Sequence, residues 1–317
     1  MKFVLLFVLA ALEIIISSST CVAHSEDVVE EVTHFRSRLS DVYILPNFLP
    51  LELAETWRDS LRDTWNNTLH ALKQNNDAQV CIDENCGQDE SSIFVYATNN
   101  RGKMQYSNNA KYRSLEMIDE RKVIANTMYD ANQFSYAKWE LHPSNPLVAE
   151  MENFMASEYS RERIQSIVRE RQPSVKFSSD LSDFFVTLFS TGDFLSPHDD
   201  GNSGTFAFVL SLMDGGGDWL SEYGGELRFQ CEETIPRGFS GWCETLKPSF
   251  NSLILIQTRV QGESGSNIRG PLHEVTSVSK AALDNGFYRY GFTGWYNDES
   301  DVMSERERME RDKMRAR

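Results

Sequence analysis

The sequence predicts a mainly β protein with flanking helices, an α+β chain in which helices come first and strands follow. Two observations carry this. From about residue 180, short runs rich in aromatic and β-branched residues alternate with Gly, Pro, Asn and Asp clusters, the pattern of an antiparallel sandwich or barrel. Before that point, apolar residues recur at three- and four-residue spacing, which marks helices with one buried face.

Taken in chain order, Lys2 precedes an apolar run from Phe3 to Ile16, broken only by Glu13, and Cys21-Val22-Ala23 ends in small residues. This predicts a signal peptide over residues 1–23 with cleavage before His24. The run is shorter than the roughly 20 residues that span a bilayer; a signal anchor is the alternative reading. The expected location is the secretory pathway, either the endoplasmic reticulum lumen or outside the cell, with no stable membrane span once the signal is removed. Met314-Arg315-Ala316-Arg317 is not a retention signal.

Val42-Tyr43-Ile44-Leu45 reads as a strand, and residues 46–50 turn the chain into a helix. That helix carries Leu51, Ala54, Trp57, Leu61, Trp65, Leu69 and Leu72 on one face. It also contains one glycosylation sequon at Asn66, an unspecific signal. Residues 74–92 are polar and read as a loop. A second helix includes Met117, Ile118, Ile124 and Met128. A third carries Leu147, Met151, Phe154, Met155, Ile164 and Val168 and ends before Pro173. Strand-like runs then fall at 183–190, 205–213, 225–230, 252–258, 273–278 and 287–296. Gly215-Gly216-Gly217 lacks the context of a phosphate-binding loop and reads as a flexible turn. Residues 261–270 read as a Gly/Ser-rich insertion near the pocket mouth, or as a plain surface loop. The expected organisation is a helix-rich support region over 42–180, a catalytic core over 181–297 and a charged tail over 298–317.

The formal net charge of −16, without a Lys/Arg stripe ahead of the tail, argues against nucleic acid as a partner. Of 5 cysteines, Cys21 leaves with the signal. The rest form two short-loop pairs, Cys81 with Cys86 and Cys231 with Cys243, expected as disulfides in an oxidising compartment. The alternative is four free thiols.

The informative stretch is Ser196-Pro197-His198-Asp199-Asp200-Gly201. On extended backbone, residues two apart share a side, so His198 and Asp200 can address one metal while Asp199 faces away. A second imidazole would complete a two-histidine, one-carboxylate triad, which leaves positions open on Fe(II). Of 6 histidines, His24 and His34 lie in a polar segment, His70 on the first helix and His142 beside Pro143. His273 opens a late strand and is the natural third ligand. Arg289 then sits inside the aromatic run Tyr288-Arg289-Tyr290-Gly291-Phe292. A buried guanidinium needs an anionic partner, and its planar fork suits a carboxylate. Beside an iron site this points to a dicarboxylate cosubstrate; an Arg–Glu pair within the chain is the alternative.

His198-Asp199-Asp200, residues 206–212, Trp219, Gly224-Gly225-Glu226-Leu227-Arg228-Phe229, Phe250-Asn251-Ser252-Leu253, Leu272-His273-Glu274-Val275 and residues 289–296 follow one another in an order that resembles prolyl-4-hydroxylase-type oxygenases. Within that superfamily the likeness is greatest to the ribosomal-protein prolyl hydroxylase branch. It spans most of residues 42–297. The resemblance implies a double-stranded β-helix (jelly-roll) core preceded by a helical N-terminal region, with Fe(II) on His198, Asp200 and His273. It further implies Arg289 on the distal carboxylate of 2-oxoglutarate, ascorbate as reductant, and C–H hydroxylation coupled to release of succinate and CO2. Phe189 stands where relatives have a Tyr, and Gly291 where a Ser or Thr follows the Arg by two. Each change removes a hydroxyl, so cosubstrate binding is expected to be weak or compensated by Thr293.

The leading expectation is a protein hydroxylase that takes prolyl residues in a protein or peptide, together with O2. Trp219, Trp242, Trp295, Tyr223 and Tyr296 either line a peptide groove or fill the core. The alternatives are the same chemistry on a free amino acid or small metabolite, and a secreted binding domain on a retired oxygenase scaffold. A halogenase is disfavoured because Asp200 occupies the position a halide would need.

Overall fold

The computed structural model describes residues 32–37, 40–75, 93–98, 122–123, 125–127, 129–130, 134–200, 203–214, 218–230, 241–261 and 267–299. The strands are β1 (Thr33–Ser37), β2 (Ser40–Leu45), β3 (Phe94–Thr98), β4 (Tyr136–Leu141), β5 (Phe177–Phe189), β6 (Phe194–His198), β7 (Phe206–Ser211), β8 (Leu227–Gln230), β9 (Trp242–Leu246), β10 (Ser252–Gln257), β11 (Arg259–Gln261), β12 (Asn267–Arg269), β13 (His273–Val275) and β14 (Arg289–Asp298). The helices are α1 (Leu51–Asn75), α2 (Pro146–Ala156), α3 (Glu158–Arg169) and α4 (Lys280–Asp284).

One 12-stranded sheet runs in the order β1-β2-β10-β7-β14-β5-β4-β6-β13-β8-β9, with β3 added beside β4. The pairings are antiparallel. The sheet curls until β1, at one end, meets β8, next to the other end. Phe35 of β1 packs edge-on against Phe229 of β8 at 5.3 Å, and Ser37 Oγ donates to the Gln230 carbonyl at 2.9 Å. This is the mainly β, half-barrel architecture expected of a jelly-roll core.

Residues alternate between the two faces of a strand, and the sheet buries both. On the outer face Val186, Leu188, Tyr290, Phe292 and Tyr296 pack with Trp57, Leu61 and Trp65 of α1 and with Met151, Met155, Ile164 and Val168 of α2 and α3. On the inner face Phe189, Trp219, Phe229, Ile256, Val275 and Trp295 form a second cluster. Because both faces are covered, β10 reads as an almost unbroken apolar run, and all six of its residues are buried. Polar ties fix the helices to one another and to the sheet. Trp57 Nε1 donates to Glu150 at 2.8 Å, Tyr296 Oη to the Met155 carbonyl at 2.8 Å, and Arg62 forks onto both carboxylate oxygens of Asp214 at 2.5 Å.

Several expectations need correcting. The region over 42–180 contributes strands as well as helices, since β2 pairs with β10 and β4 joins β5 to β6. The third helix is two. Ser157 takes extended backbone between α2 and α3 and caps α3, its Oγ accepting from the Ser160 amide at 3.3 Å. Leu51, placed on the buried face of α1, is 60% exposed. Flanking residues 262–266, which lie outside the described residues, β11 and β12 pair antiparallel. Asn66 is exposed on α1, while the Thr68 of its sequon is buried. Trp219, Tyr223, Trp295 and Tyr296 are core residues, each no more than 5% exposed. The signal segment, Met117, Ile118, Ile124, Met128, Cys81, Cys86, Cys231, Gly215–Gly217 and residues 300–317 lie outside the described residues. Cys243, on β9, is disulfide-bonded.

Candidate metal centre and its pocket

His198 closes β6 and His273 opens β13, and the antiparallel register sets these two residues directly opposite each other. Asp200 follows two residues after His198. The ligand atoms of His198, Asp200 and His273 lie within 4.8 Å of one another, and this is the group found among the described residues with metal-ligand spacing. His198 Nε2 is 3.5 Å from Asp200 Oδ1, and His273 Nε2 is 3.3 Å from Asp200 Oδ2. The imidazole rings are 4.3 Å apart.

The other ring nitrogens fix the tautomers. His198 Nδ1 donates to the Ser196 carbonyl at 2.9 Å, and His273 Nδ1 to the Pro271 carbonyl at 3.1 Å. Both Nε2 atoms therefore face Asp200, the arrangement that orients histidine ligands toward a metal. Burial acts to raise the Asp200 pKa, but His273 and His198 beside it outweigh burial and hold the carboxyl well below the usual range. Burial acts to lower the His273 pKa, and the Asp200 carboxylate reverses it. Of the histidines set aside on sequence grounds, His34 pairs with Asp41 at 2.9 Å and His142 bonds Ser144 at 2.7 Å.

Arg289 opens β14 on the inner face. It is 7% exposed. Among the described residues its guanidinium has no ion pair, and Nε has no hydrogen-bond partner. The Arg–Glu alternative is therefore not met among them. Burial pushes its pKa down to about 10. The Phe189 ring stands beside it, its centre 4.6 Å from the guanidinium carbon. Phe189 thus supplies a cation–π face where a Tyr hydroxyl was missed. Gly225 leaves room for the side chain, since a Cβ there would stand 3.2 Å from Arg289 Cδ.

Gly291 and Thr293 alternate onto the same face of β14 as Arg289. Gly291 is flanked in register by Thr187 of β5 and Ser211 of β7. The Thr187 hydroxyl donates to the Gly291 carbonyl at 3.3 Å. Ser211 Oγ is buried without a partner among the described residues. Thr293 lies opposite Phe185 and Val209.

Sequence reasoning missed Ser211, Lys138 and Glu140. Lys138 carries the same signal as Arg289, a cation inside an aromatic run, in Tyr136-Ala137-Lys138-Trp139. Ser211 leaves no signal of its own, because it meets Gly291 only across to β14.

Residues 184–297 match the family model described as the 2OG-Fe(II) oxygenase superfamily. No curated protein matched the chain. Among solved structures, the chain is similar to a Pseudomonas putida prolyl-4-hydroxylase at 17% identity, with 58% of this chain and 88% of that one covered and a TM-score of 0.32. It is similar to a viral collagen prolyl hydroxylase from Paramecium bursaria Chlorella virus-1 at 13% identity, covering 51% and 77%, with a TM-score of 0.33. A third is a Caulobacter crescentus protein described as a 2OG-Fe(II) oxygenase family member, at 12% identity, covering 84% and 81%, with a TM-score of 0.33.

Proposed function

We propose that this chain is a member of the 2OG-Fe(II) oxygenase superfamily, working as an Fe(II)- and 2-oxoglutarate-dependent dioxygenase. Fe(II) would be held by His198, Asp200 and His273, and the distal carboxylate of 2-oxoglutarate by Arg289 with Thr293 at the same wall. The family match supports the oxygenase reading. The residues present fit both groups. The triad offers two imidazole nitrogens and one carboxylate, the donor set of non-haem iron oxygenases.

The observation that carries the reading is the buried guanidinium of Arg289, which has no ion pair among the described residues. A cation buried without a counter-ion is costly by several kcal/mol, and a carboxylate arriving with the cosubstrate would pair it. Bound Fe(II) supplies the oxygen chemistry, in which 2-oxoglutarate becomes succinate and CO2 and a substrate C–H is hydroxylated. The chain's own residues orient the ligands and exclude water. The inner-face cluster that includes Phe189, Trp219 and Trp295 provides the dry wall.

The substrate we propose is a prolyl residue of a protein, met in the secretory pathway, with O2 as co-reactant and ascorbate as reductant. The motif order in the sequence supports this, including the choice of the ribosomal-protein prolyl hydroxylase branch. Phe134 is 43% exposed, with its ring 5.7 Å from His198, and offers a flat apolar face beside the metal site.

The test is succinate release by the purified protein given Fe(II), 2-oxoglutarate and ascorbate, with and without proline-containing peptides. Peptide-stimulated succinate that His198→Ala abolishes is the expected result. No turnover, and no 2-oxoglutarate-dependent visible absorption with anaerobic Fe(II), would sink the oxygenase reading and favour a retired binding scaffold.

A further inference from the structure

The pairing of β6 with β13 carries a one-residue irregularity, and it falls next to a metal ligand. Between the pairs His273↔His198 and Val275↔Leu195, β13 advances by two residues and β6 by three. The extra residue makes a β-bulge, which re-aims the side chain beyond it. Leu195 packs with the inner-face cluster, so regular alternation would send His198 to the outer face. The bulge returns it to the side of His273. Pro197, which has no amide to give, lies within the bulge. Ser196, 2% exposed, holds the bulge to the residue before β4. Its amide donates to the Ser135 carbonyl at 3.0 Å. In an unbroken antiparallel pair the Ser135 amide would bond back to the Ser196 carbonyl. That amide donates to Ser196 Oγ instead, at 2.8 Å. The Ser196 carbonyl accepts from His198 Nδ1 at 2.9 Å.

We infer that Ser196 is a positioning residue for the metal ligand His198. Its hydroxyl takes the place of its own carbonyl in the strand pairing, which leaves that carbonyl to hold the imidazole. This rests on the metal reading above. Ser135 is 0% exposed, so water does not reach its amide, and an unpaired buried amide is unfavourable. Without the Ser196 hydroxyl, the acceptor that regular pairing assigns to the Ser135 amide is the Ser196 carbonyl. A carbonyl turned toward that amide gives up its bond to His198 Nδ1. The ring then loses the partner that fixes its tautomer and aims Nε2 at Asp200.

The test measures the affinity of the full chain for Mn(II), from the electron paramagnetic resonance signal of the free ion, together with the melting temperature. Ser196→Ala deletes the hydroxyl. Ser196→Thr and Ser196→Val match each other in shape and differ in the hydroxyl, so they decide the matter if the alanine variant does not fold. Ser157→Ala removes the cap of α3, touches no metal ligand and serves as the control for stability alone. Partners that orient histidine ligands typically change metal affinity by roughly 10–100-fold. Ser196→Ala should therefore weaken Mn(II) binding at least about tenfold, and Ser196→Val should bind it at least about tenfold more weakly than Ser196→Thr. Ser157→Ala should melt lower and bind Mn(II) as the parent does. Equal Mn(II) affinity in the three Ser196 variants overturns the inference, whatever their melting temperatures. A parallel loss in Ser157→Ala also overturns it, because the effect would then be one of stability. A parent that binds no Mn(II), or binds it as well after His198→Ala, removes the metal reading and this inference with it.

Discussion

Arg289 sets ligand binding against stability. Among the described residues its charge is buried without a counter-ion, which is unfavourable by several kcal/mol. Arg289→Met should therefore leave the ligand-free protein as stable as the parent or more so. The same change should abolish the rise in melting temperature that 2-oxoglutarate confers on the Mn(II)-loaded parent. A variant that melts lower and still responds to the ligand would place the cosubstrate elsewhere. The hydroxyls near it are a smaller matter. Hydrogen bonds to a charged group are worth about 1.5–3 kcal/mol, so Thr293→Val or Ser211→Ala should weaken 2-oxoglutarate roughly tenfold or more, read by titration calorimetry. At this scale the sequence was informative where chemistry is rare. Six histidines left few choices for a third ligand, and an arginine among aromatics invites explanation. Ser211 was hidden because it meets Gly291 only across strands, whereas Lys138 carried a signal like that of Arg289 and was passed over.

The turn between β5 and β6 shows how an element can be tied down by a buried acid. Asp193 is wholly buried; it accepts from the Ser190 amide at 2.7 Å and from Tyr96 Oη at 3.1 Å, and lies 3.2 Å from Lys122 Nζ. Burial pushes its pKa up to about 6, against the pull of Lys122. An acid whose folded pKa exceeds its unfolded value near 4 favours folding most below that value, and the advantage fades as pH rises through about 6. A shift of this size corresponds to roughly 3 kcal/mol. Asp193→Asn should flatten that part of the stability profile between about pH 4 and 6. Identical slopes in denaturant titrations of the two proteins would contradict it. The strands of the C-terminal half were legible because they alternate or run apolar between turn residues. β4 was not, since it buries both faces and its inner face holds a Lys–Glu pair. β1 is short and polar, and β6 contains Pro197. The division of α2 from α3 turns on the Ser157 cap, which no spacing of apolar residues reveals.

At the level of the whole molecule, the ladder is continuous from β1 to β9 but does not close on itself. The ends meet through side chains, Phe35 on Phe229 and Ser37 on Gln230. Amides of β1 and β9, with partners on one side only, should exchange with solvent at lower free energy than those of β7 and β14, which are bonded on both sides. Equal protection in native-state hydrogen exchange would count against this. A cylinder slit along its length changes bore at the slit without tearing its wall. The spacing around the His198, Asp200 and His273 group would thus be governed by two contacts that lie at the seam. Phe35→Ala should accordingly alter which substrates are accepted while every ligand-binding residue stays unchanged, a difference that competition between bulky and small proline peptides would expose.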